Sequence, residues 1–274
     1  KIAAFFVLTH SLLLFGNGGN PFCVSGDIFG THAFIENRGQ FNSRVISDES
    51  VLYAMEHGNE RIYFLRTGLI YELRKAPELL REREDENEEI MERERRKKYK
   101  GVEIEFVSMN WSGCATQNIR VEASEKQSHY ITYGDERLNA STFKKLTYKN
   151  VYQGIDIEFV IPKDKSVGIK YNVIVHEGAD YRKLKMVYKG NLKGIKKNKN
   201  HLEIFTRNDL FITEHAPYSF DVTGKEIASS FVVKKDTVSF SLSPDYDPGK
   251  TLTIDPWVSS NNGFTGNPSA YDVD

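Results

Sequence analysis

The sequence predicts an all-β fold, an antiparallel β-sandwich or roll with one charged helical insertion, and three observations support it. Aromatic residues are frequent, with 14 Tyr and 17 Phe among 274 residues, and together with Val, Ile and Thr they favour half-buried pleated strands. Short runs of alternating apolar and polar residues recur along the chain, which is the period of a strand with one buried face. Turn residues rather than helical patterns separate these runs, as is typical of stacked antiparallel sheets.

In the first half of the chain, alternating runs cover residues 51–55, 61–65, 69–73 and 102–106. The second and third runs flank Arg66-Thr67-Gly68, which indicates a β-hairpin in which Gly68 supplies a positive φ. Further runs cover residues 155–161, 171–175, 184–188, 202–206, 210–213, 218–222, 229–233, 237–242 and 251–254.

A faint internal repeat suggests two related β units. Residues 61–71 resemble residues 201–212 with one extra turn residue. We therefore divide the chain into a first unit over residues 27–134 and a second over residues 135–256, although two hairpins also match by chance because the strand period is short.

Residues 77–98 interrupt the β pattern, because they are almost entirely charged. Acidic residues crowd the start and basic residues the end, as the helix dipole prefers. Glu precedes Arg or Lys by four positions in three pairs, Glu89/Arg93, Glu92/Arg96 and Glu94/Lys98, which is the favourable order on a helix. We predict a solvated helix projecting from a loop. A partner-binding helix is the alternative, but its four apolar residues are too few for a continuous stripe.

The first 26 residues have the pattern of a secretory signal peptide. Lys1 precedes an apolar run over residues 2–15, and a turn-rich stretch follows, so we expect cleavage near Gly26. The run is short for a bilayer span, and a buried N-terminal strand is the alternative. The mature chain is therefore expected outside the cell or at its surface, without a membrane span. The net charge of the whole 274-residue chain is -1, which gives no field of one sign that would attract nucleic acid.

Sequence motifs for catalysis are weak. His176-Glu177 begins like a zinc-protease motif, but position 180 is Asp and the segment follows a strand, so we assign no zinc. Glu214-His215 could pair a carboxylate with a general base, although a polar residue at a strand end explains this His better. We therefore expect no enzymatic activity, and assign no catalytic, cofactor-binding or metal-binding residue.

Three groups of residues could bind ligands. Calcium could use Asp residues in turns, yet Asp is also a good turn former; the candidates are Asp135, Asp156, Asp180, Asp209, Asp245 and Asp247. Residues 193–200 form a basic turn that could bind an anion or a polysaccharide, although Lys also protects hairpin tips and sheet edges from aggregation. Five tyrosines could form a sugar platform, but strand spacing favours core packing: Tyr130, Tyr133, Tyr148, Tyr152 and Tyr171.

Five short motifs follow one another along the chain: residues 34–41 (FIENRGQF), 148–156 (YKNVYQGID), 175–180 (VHEGAD), 214–217 (EHAP) and 254–256 (IDP). In this order they resemble a domain of unknown function at the N-terminus of large secreted bacterial proteins. The resemblance covers residues 34–256, and Gln153 replaces the usual Pro of the second motif. The charged segment at residues 77–98 departs from the family pattern.

The resemblance implies a place in a longer protein. In that family the domain precedes β-propeller repeats. In gliding bacteria of the Bacteroidetes type, such proteins often end in a type IX, gliding-motility-associated secretion domain. Residues 257–274 resemble the start of such a propeller. We expect a non-catalytic structural or interaction module for adhesion or surface assembly, with the downstream propeller and surface glycans or proteins as partners. The alternatives are a carbohydrate-binding module and part of a hydrolase whose site, with Glu214, His215 and Asp255, is shared with the next domain.

Within the motifs, we expect the notable residues to determine the fold. Gly39, Gly154 and Gly178 would permit special backbone conformations. Pro217 and Pro256 would mark strand ends.

Overall fold

The computed structural model describes residues 32–45, 47–57, 60–75, 103–133, 138–163, 168–199 and 201–260. These residues form an all-β fold with two single-turn 3₁₀ helices, Thr116–Asn118 and Tyr181–Lys183. The strands are β1 (Phe34–Glu36), β2 (Tyr53–His57), β3 (Glu60–Phe64), β4 (Gly68–Arg74), β5 (Ile104–Trp111), β6 (Arg120–Tyr133), β7 (Leu138–Tyr152), β8 (Ile155–Val160), β9 (Ile169–Val175), β10 (Met186–Gly190), β11 (Leu192–Lys197), β12 (His201–Thr206), β13 (Phe211–His215), β14 (Tyr218–Asp221), β15 (Ser229–Lys234), β16 (Thr237–Leu242), β17 (Leu252–Asp255) and β18 (Trp257–Ser260).

All strands pair antiparallel in one sheet that curls back on itself. The neighbours run in the order β15, β16, β10, β5, β4, β3, β2, β1, β7, β8, β9, β18, β13, β12 and β11. The two end strands, β11 and β15, then lie side by side. They share no backbone pairing in the described residues, and Lys197 Nζ donates to the Phe231 carbonyl oxygen between them (2.5 Å). We call this junction the seam.

Two branches leave the curled sheet. Strand β6 pairs with the edge of β7 that β1 and β8 leave free, and it has no second neighbour among the described strands. Strand β17 pairs with the end of β9 and carries β14 on its other side. Both branches widen the sheet beyond the curled part.

The main core lies inside the curl and draws on the whole described chain. Phe64 and Trp111 meet Tyr148, Phe159 and Val238 in one buried cluster. Trp111 and Phe159 both pack edge-on against Tyr148, with ring centroids 5.0 and 5.6 Å away, a geometry that adds to the burial energy of each ring.

A second, smaller core lies on the opposite face of β1 to β4. Ile35, Ala54, Tyr63 and Ile70 belong to it, and Phe41 packs over them. Because strand residues alternate between faces, burial on both faces explains why residues 61–65 and 69–73 are apolar almost throughout.

The fold class expected from the sequence is confirmed, and the β3–β4 hairpin is where it was predicted. The role given to Gly68 was wrong, because Gly68 has no positive φ. A Cβ there would lie 2.0 Å from the Met109 carbonyl oxygen, so Gly68 is needed for close approach of β4 to β5. The predicted basic turn is also largely a strand: residues 192–197 form β11.

Other predictions concern boundaries. Strands pair across the expected division at residues 134 and 135, since β6 pairs with β7 and β5 with β10; the relation between two units stays a prediction. Trp257–Ser260 pairs with β9 and β13, so the sheet extends past the expected boundary at Pro256. The leader (1–26), the charged insertion (77–98) and residues 261–274 lie outside the described residues.

Candidate functional site

The first motif builds a turn around Asn37. The Asn37 side-chain oxygen accepts hydrogen bonds from the N–H groups of Gly39 (2.9 Å) and Phe41 (3.2 Å), and its amide donates to the Val51 carbonyl oxygen (2.7 Å). Gly39 has φ +116°, which an L side chain rarely adopts. The turn delivers Phe41 onto the rings of Tyr63 and Tyr133, so this motif determines local structure.

The second and third motifs meet at Asp156. Its carboxylate accepts from the Asn150 N–H (2.8 Å) and from Lys149 Nζ (2.8 Å), and it lies 3.0 Å from His176 Nε2. Burial opposes ionisation of Asp156, but these three partners outweigh it and lower the pKa of the carboxyl group. The carboxylate thereby holds the irregular end of β7, where Asn150 has φ +55° and the register with β8 shifts.

The glycines of these two motifs lie in neighbouring turns. Gly154 and Gly178 have φ +73° and +75°, as expected from the sequence. A Cβ on Gly154 would lie 2.9 Å from the Ala179 Cβ, and the Gly178 N–H donates to the Pro248 carbonyl oxygen (2.8 Å). Both glycines are therefore required by backbone geometry.

The last two motifs end strands, also as expected. Pro217 lies between β13 and β14, and Pro256 lies between β17 and β18. The Pro256 carbonyl oxygen accepts from the Tyr171 N–H (3.2 Å), which continues the ladder to β9 across the bend. These prolines change the direction of the chain without breaking the sheet.

Glu214 lies inside the main core, although its sequence suggested a strand-end pair with His215. Only 1% of Glu214 is exposed, and its carboxyl group accepts hydrogen bonds from the hydroxyls of Tyr171 (2.9 Å) and Tyr188. Burial raises the pKa of Glu214, and the two tyrosine hydrogen bonds offset only part of that effect.

His215 is on the other face of the same strand. Its ring stacks on the indole of Trp257, with centroids 3.3 Å apart and planes 2° from parallel, and its Nε2 lies 3.0 Å from Ser259 Oγ. Burial, with a smaller effect of His201, lowers the pKa of His215 to about 4, so its imidazole is neutral at pH 7.

The three residues of the hydrolase alternative are therefore not brought together. Glu214 and His215 are consecutive in β13, so they point to opposite faces of the sheet. Asp255 lies on the face of His215, and burial raises the pKa of its carboxyl group, against a smaller effect of Lys170.

The interior leaves little space beside Glu214. A cavity of about 10 Å³ adjoins this carboxyl group, and Met109, Trp111, Phe159 and Met186 contribute to its wall. That volume is about the room of one water molecule. This cavity is too small for a substrate.

The tyrosines proposed as a sugar platform are scattered. Tyr148, Tyr152 and Tyr171 are buried in the main core, whereas Tyr130 is 61% exposed on β6 and Tyr133 is half-buried. Tyr152 donates to the Ser112 carbonyl oxygen (2.8 Å). The sequence-based preference for core packing is confirmed for the three buried tyrosines.

The aspartates proposed as calcium ligands cap turns. Asp180 accepts from the Arg182 N–H (3.1 Å), and Asp247 from the Gly249 N–H (2.9 Å); Asp209 pairs with an exposed lysine. Asp135 lies outside the described residues. Within the described part of the chain, no three His, Cys, Asp or Glu side chains are placed to hold a metal ion.

One buried network was not predicted from the sequence. Arg61 of β3 lies opposite Glu56 of β2 and Glu72 of β4; Arg61 Nε donates to Glu56 Oε1 (2.6 Å) and the Tyr63 hydroxyl to Glu72 Oε2 (2.5 Å). Burial alone would lower the pKa of Arg61, but Glu56, Tyr63 and Glu72 raise it. The sequence signal that could have revealed this network is the placement of opposite charges at matching positions of adjacent predicted strands.

The fold and these contacts define an all-β domain whose recognisable motifs shape turns and strand ends. The chain belongs to the family described as domain of unknown function DUF7948, whose model matches residues 34–257. Comparison with curated proteins gives no match, and comparison with solved structures gives none either. In the described residues, no helix is long and apolar enough to cross a bilayer.

Proposed function

We propose that this chain is a non-catalytic structural and interaction module of an exported cell-surface protein, in which it presents a downstream β-propeller. One observation carries the proposal: the polar side chains of the motifs bind other groups of the protein itself. Asn37 accepts from two backbone N–H groups. Asp156 accepts from the Asn150 N–H and from Lys149, and Glu214 accepts from two tyrosine hydroxyls. A catalytic constellation instead directs such groups at a shared point where a substrate can sit.

Export and the downstream partner rest on the sequence. The predicted leader over residues 1–26 supports passage out of the cytoplasm. The likeness of residues 257–274 to a propeller repeat supports a further domain, and β18 would lead directly into it.

Surface exposure of the full-length parent protein in its own host tests the proposal. We expect an antibody against the chain to label intact cells, and external protease to remove that labelling. Retention in the cytoplasm, with labelling only after lysis, would refute the proposed location.

An Asp156→Ala variant tests the structural role in the same cells. It removes hydrogen bonds to Asn150 N–H and Lys149, which costs about 1–3 kcal/mol, so surface labelling should fall several-fold. Asp48→Ala, at an exposed position, is the matched control and should label like the unmodified protein. Equal labelling of both variants would argue against a structural role for the motif.

A further inference from the structure

We propose that a lysine-rich surface along the seam binds an anionic polysaccharide. This inference rests on the proposed function, because an exported surface module meets extracellular polysaccharides, and it names the class of partner. The basic surface consists of Lys189, Lys193, Lys196, Lys197, Lys199, Lys234 and Lys235, all of them exposed.

The positive charge is concentrated locally. Residues 181–199 contain one Arg and seven Lys but no Asp or Glu, whereas the whole chain has a net charge of -1. The excess therefore reflects a local arrangement rather than a basic composition, and a local patch of one sign attracts a polyanion at that place.

The fold adds two lysines from another part of the chain. The turn between β15 and β16 carries Lys234 and Lys235, and the Tyr188 N–H of β10 donates to the Asp236 carbonyl oxygen in that turn (2.8 Å). Farther along the seam, the Lys197–Phe231 contact ties β11 to β15. The lysines of β10, β11 and the turn thus share one side of the molecule.

Nearby carboxylates neutralise only part of this charge. Asp209 binds Lys193 Nζ (2.6 Å), Glu203 lies opposite Lys196 and interacts with His201 (3.2 Å), and Asp236 accepts from the Thr237 hydroxyl (3.1 Å). No ion pair forms between the described carboxylates and the other lysines of the surface. Apart from that of Lys197, which donates to the Phe231 carbonyl oxygen, their ammonium groups are available.

Protection of sheet edges and hairpin tips does not explain why these lysines cluster. Lys at an edge strand or a hairpin tip hinders pairing with another chain, which fits β11 and the end of β15 at Lys234. Lys189 pairs with Ser108 of β5, whereas the pairing of β10 with β16 covers only residues 186–187. Edge protection applies to each position separately, and an anionic ligand also accounts for their lying on one side of the molecule.

The chemistry of the surface fits a polysaccharide better than a nucleic acid. All seven cations are lysines, whose flexible ammonium groups act as point charges toward carboxylate and phosphate alike, so the distinction depends on stacking. The strongly exposed large apolar side chains of the described residues are Ile104, Tyr130, Tyr218 and Val222, and none belongs to β10, β11, β15 or β16. Stacking platforms for bases are thus lacking on these strands.

Binding of the full chain to polygalacturonate tests the proposal, with neutral dextran of matched length and a single-stranded oligonucleotide as comparison ligands. We expect binding to polygalacturonate that weakens steeply with added salt, and no binding to dextran. No binding to polygalacturonate, or tighter binding of the oligonucleotide under the same conditions, would overturn the proposal.

Two triple variants separate this surface from general charge. Lys189→Gln/Lys196→Gln/Lys199→Gln should weaken binding to polygalacturonate roughly tenfold and reduce the salt dependence. Arg120→Gln/Lys126→Gln/Lys163→Gln makes the same charge change at exposed positions of β6 and the segment after β8, and should alter binding less than about twofold. Equal losses would overturn the proposal, and unchanged urea midpoints will show that both variants fold.

The outcome is independent of the cellular test. Surface labelling without polygalacturonate binding would remove this inference and leave the proposed function intact. Binding of polygalacturonate by a protein that is retained in the cytoplasm would refute the proposed function and leave this inference intact.

Discussion

Glu214 places a polar side chain in a buried, apolar environment. The hydroxyls of Tyr171 and Tyr188 satisfy both carboxyl oxygens, yet the surrounding core is apolar, and a buried charge is costly even when it accepts hydrogen bonds. The raised pKa means that the folded protein binds a proton at Glu214 more tightly than the unfolded chain does.

This difference in proton affinity between the folded and unfolded states predicts that stability depends on pH. The unfolded carboxyl has a pKa of about 4.3; because the folded pKa is higher, the favourable contribution of neutral Glu214 is complete below that value and is lost as pH rises through the folded pKa. Glu214→Gln cannot ionise, so the unfolding free energy of the native protein minus that of the variant should fall as the pH rises above about 4.3. Urea unfolding at a series of pH values measures it.

A matched substitution isolates the effect. Glu226→Gln removes an exposed carboxyl and is the control for the loss of a carboxyl group outside the core. If Glu214→Gln gave the same pH profile as this control, the argument from burial would be wrong.

Part of this site could be predicted from the sequence. Strand alternation alone places Glu214 and His215 on opposite faces, once residues 210–215 are accepted as a strand. The tyrosine partners come from β9 and β10, whose positions depend on pairings over long sequence distances, so no local pattern reveals them. The stacking of His215 on Trp257 likewise needs the pairing of β13 with β18.

Among the elements, the strands with one buried face were predicted best. Strands β8, β12 and β16 lie where alternation placed them, within a residue or two. The long pair β6 and β7 was not predicted, because β6 has mostly exposed residues and its inward positions Val121 and Ala123 are small. An edge strand with little buried surface leaves a weak pattern.

The close contact between β4 and β5 predicts that replacing Gly68 strongly destabilises the fold. In Gly68→Ala, the new Cβ would meet the Met109 carbonyl oxygen at 2.0 Å and the Asn110 Cα at 2.9 Å. Both are backbone atoms, so relief requires the strands to separate, and we expect destabilisation of about 3 kcal/mol. The free energy of unfolding in urea measures this change.

Gly194→Ala provides the control within another strand. A Cβ on Gly194 would meet no atom within 4 Å, and Gly194 has no positive φ, so its replacement should change stability by less than about 0.5 kcal/mol. Similar losses at the two glycines would show that the backbone contact at Gly68 is not what makes glycine necessary there.

At the scale of the molecule, the continuous sheet and the shared core matter more than the possible internal repeat. Strand β5 pairs with β10, and both β1 and β6 pair with β7, so three strand pairings join the segments on either side of residues 134 and 135. Phe64 packs against Phe159 with ring centroids 5.3 Å apart. A repeat in the sequence therefore does not require separate folding units.

This continuity predicts a single unfolding transition, and the two tryptophans can test it. Trp111 lies in β5 and Trp257 in β18, so Trp257→Phe leaves a fluorescent reporter in the first segment and Trp111→Phe leaves one in the last strand. Within each variant, the urea midpoint from fluorescence should equal the midpoint from far-ultraviolet circular dichroism, as coincident probes show two-state behaviour. Comparing the two probes in the same variant removes the effect of each substitution on stability. Separate units would instead make the Trp111 signal change at a different urea concentration from the bulk of the sheet, because the circular dichroism averages over both segments.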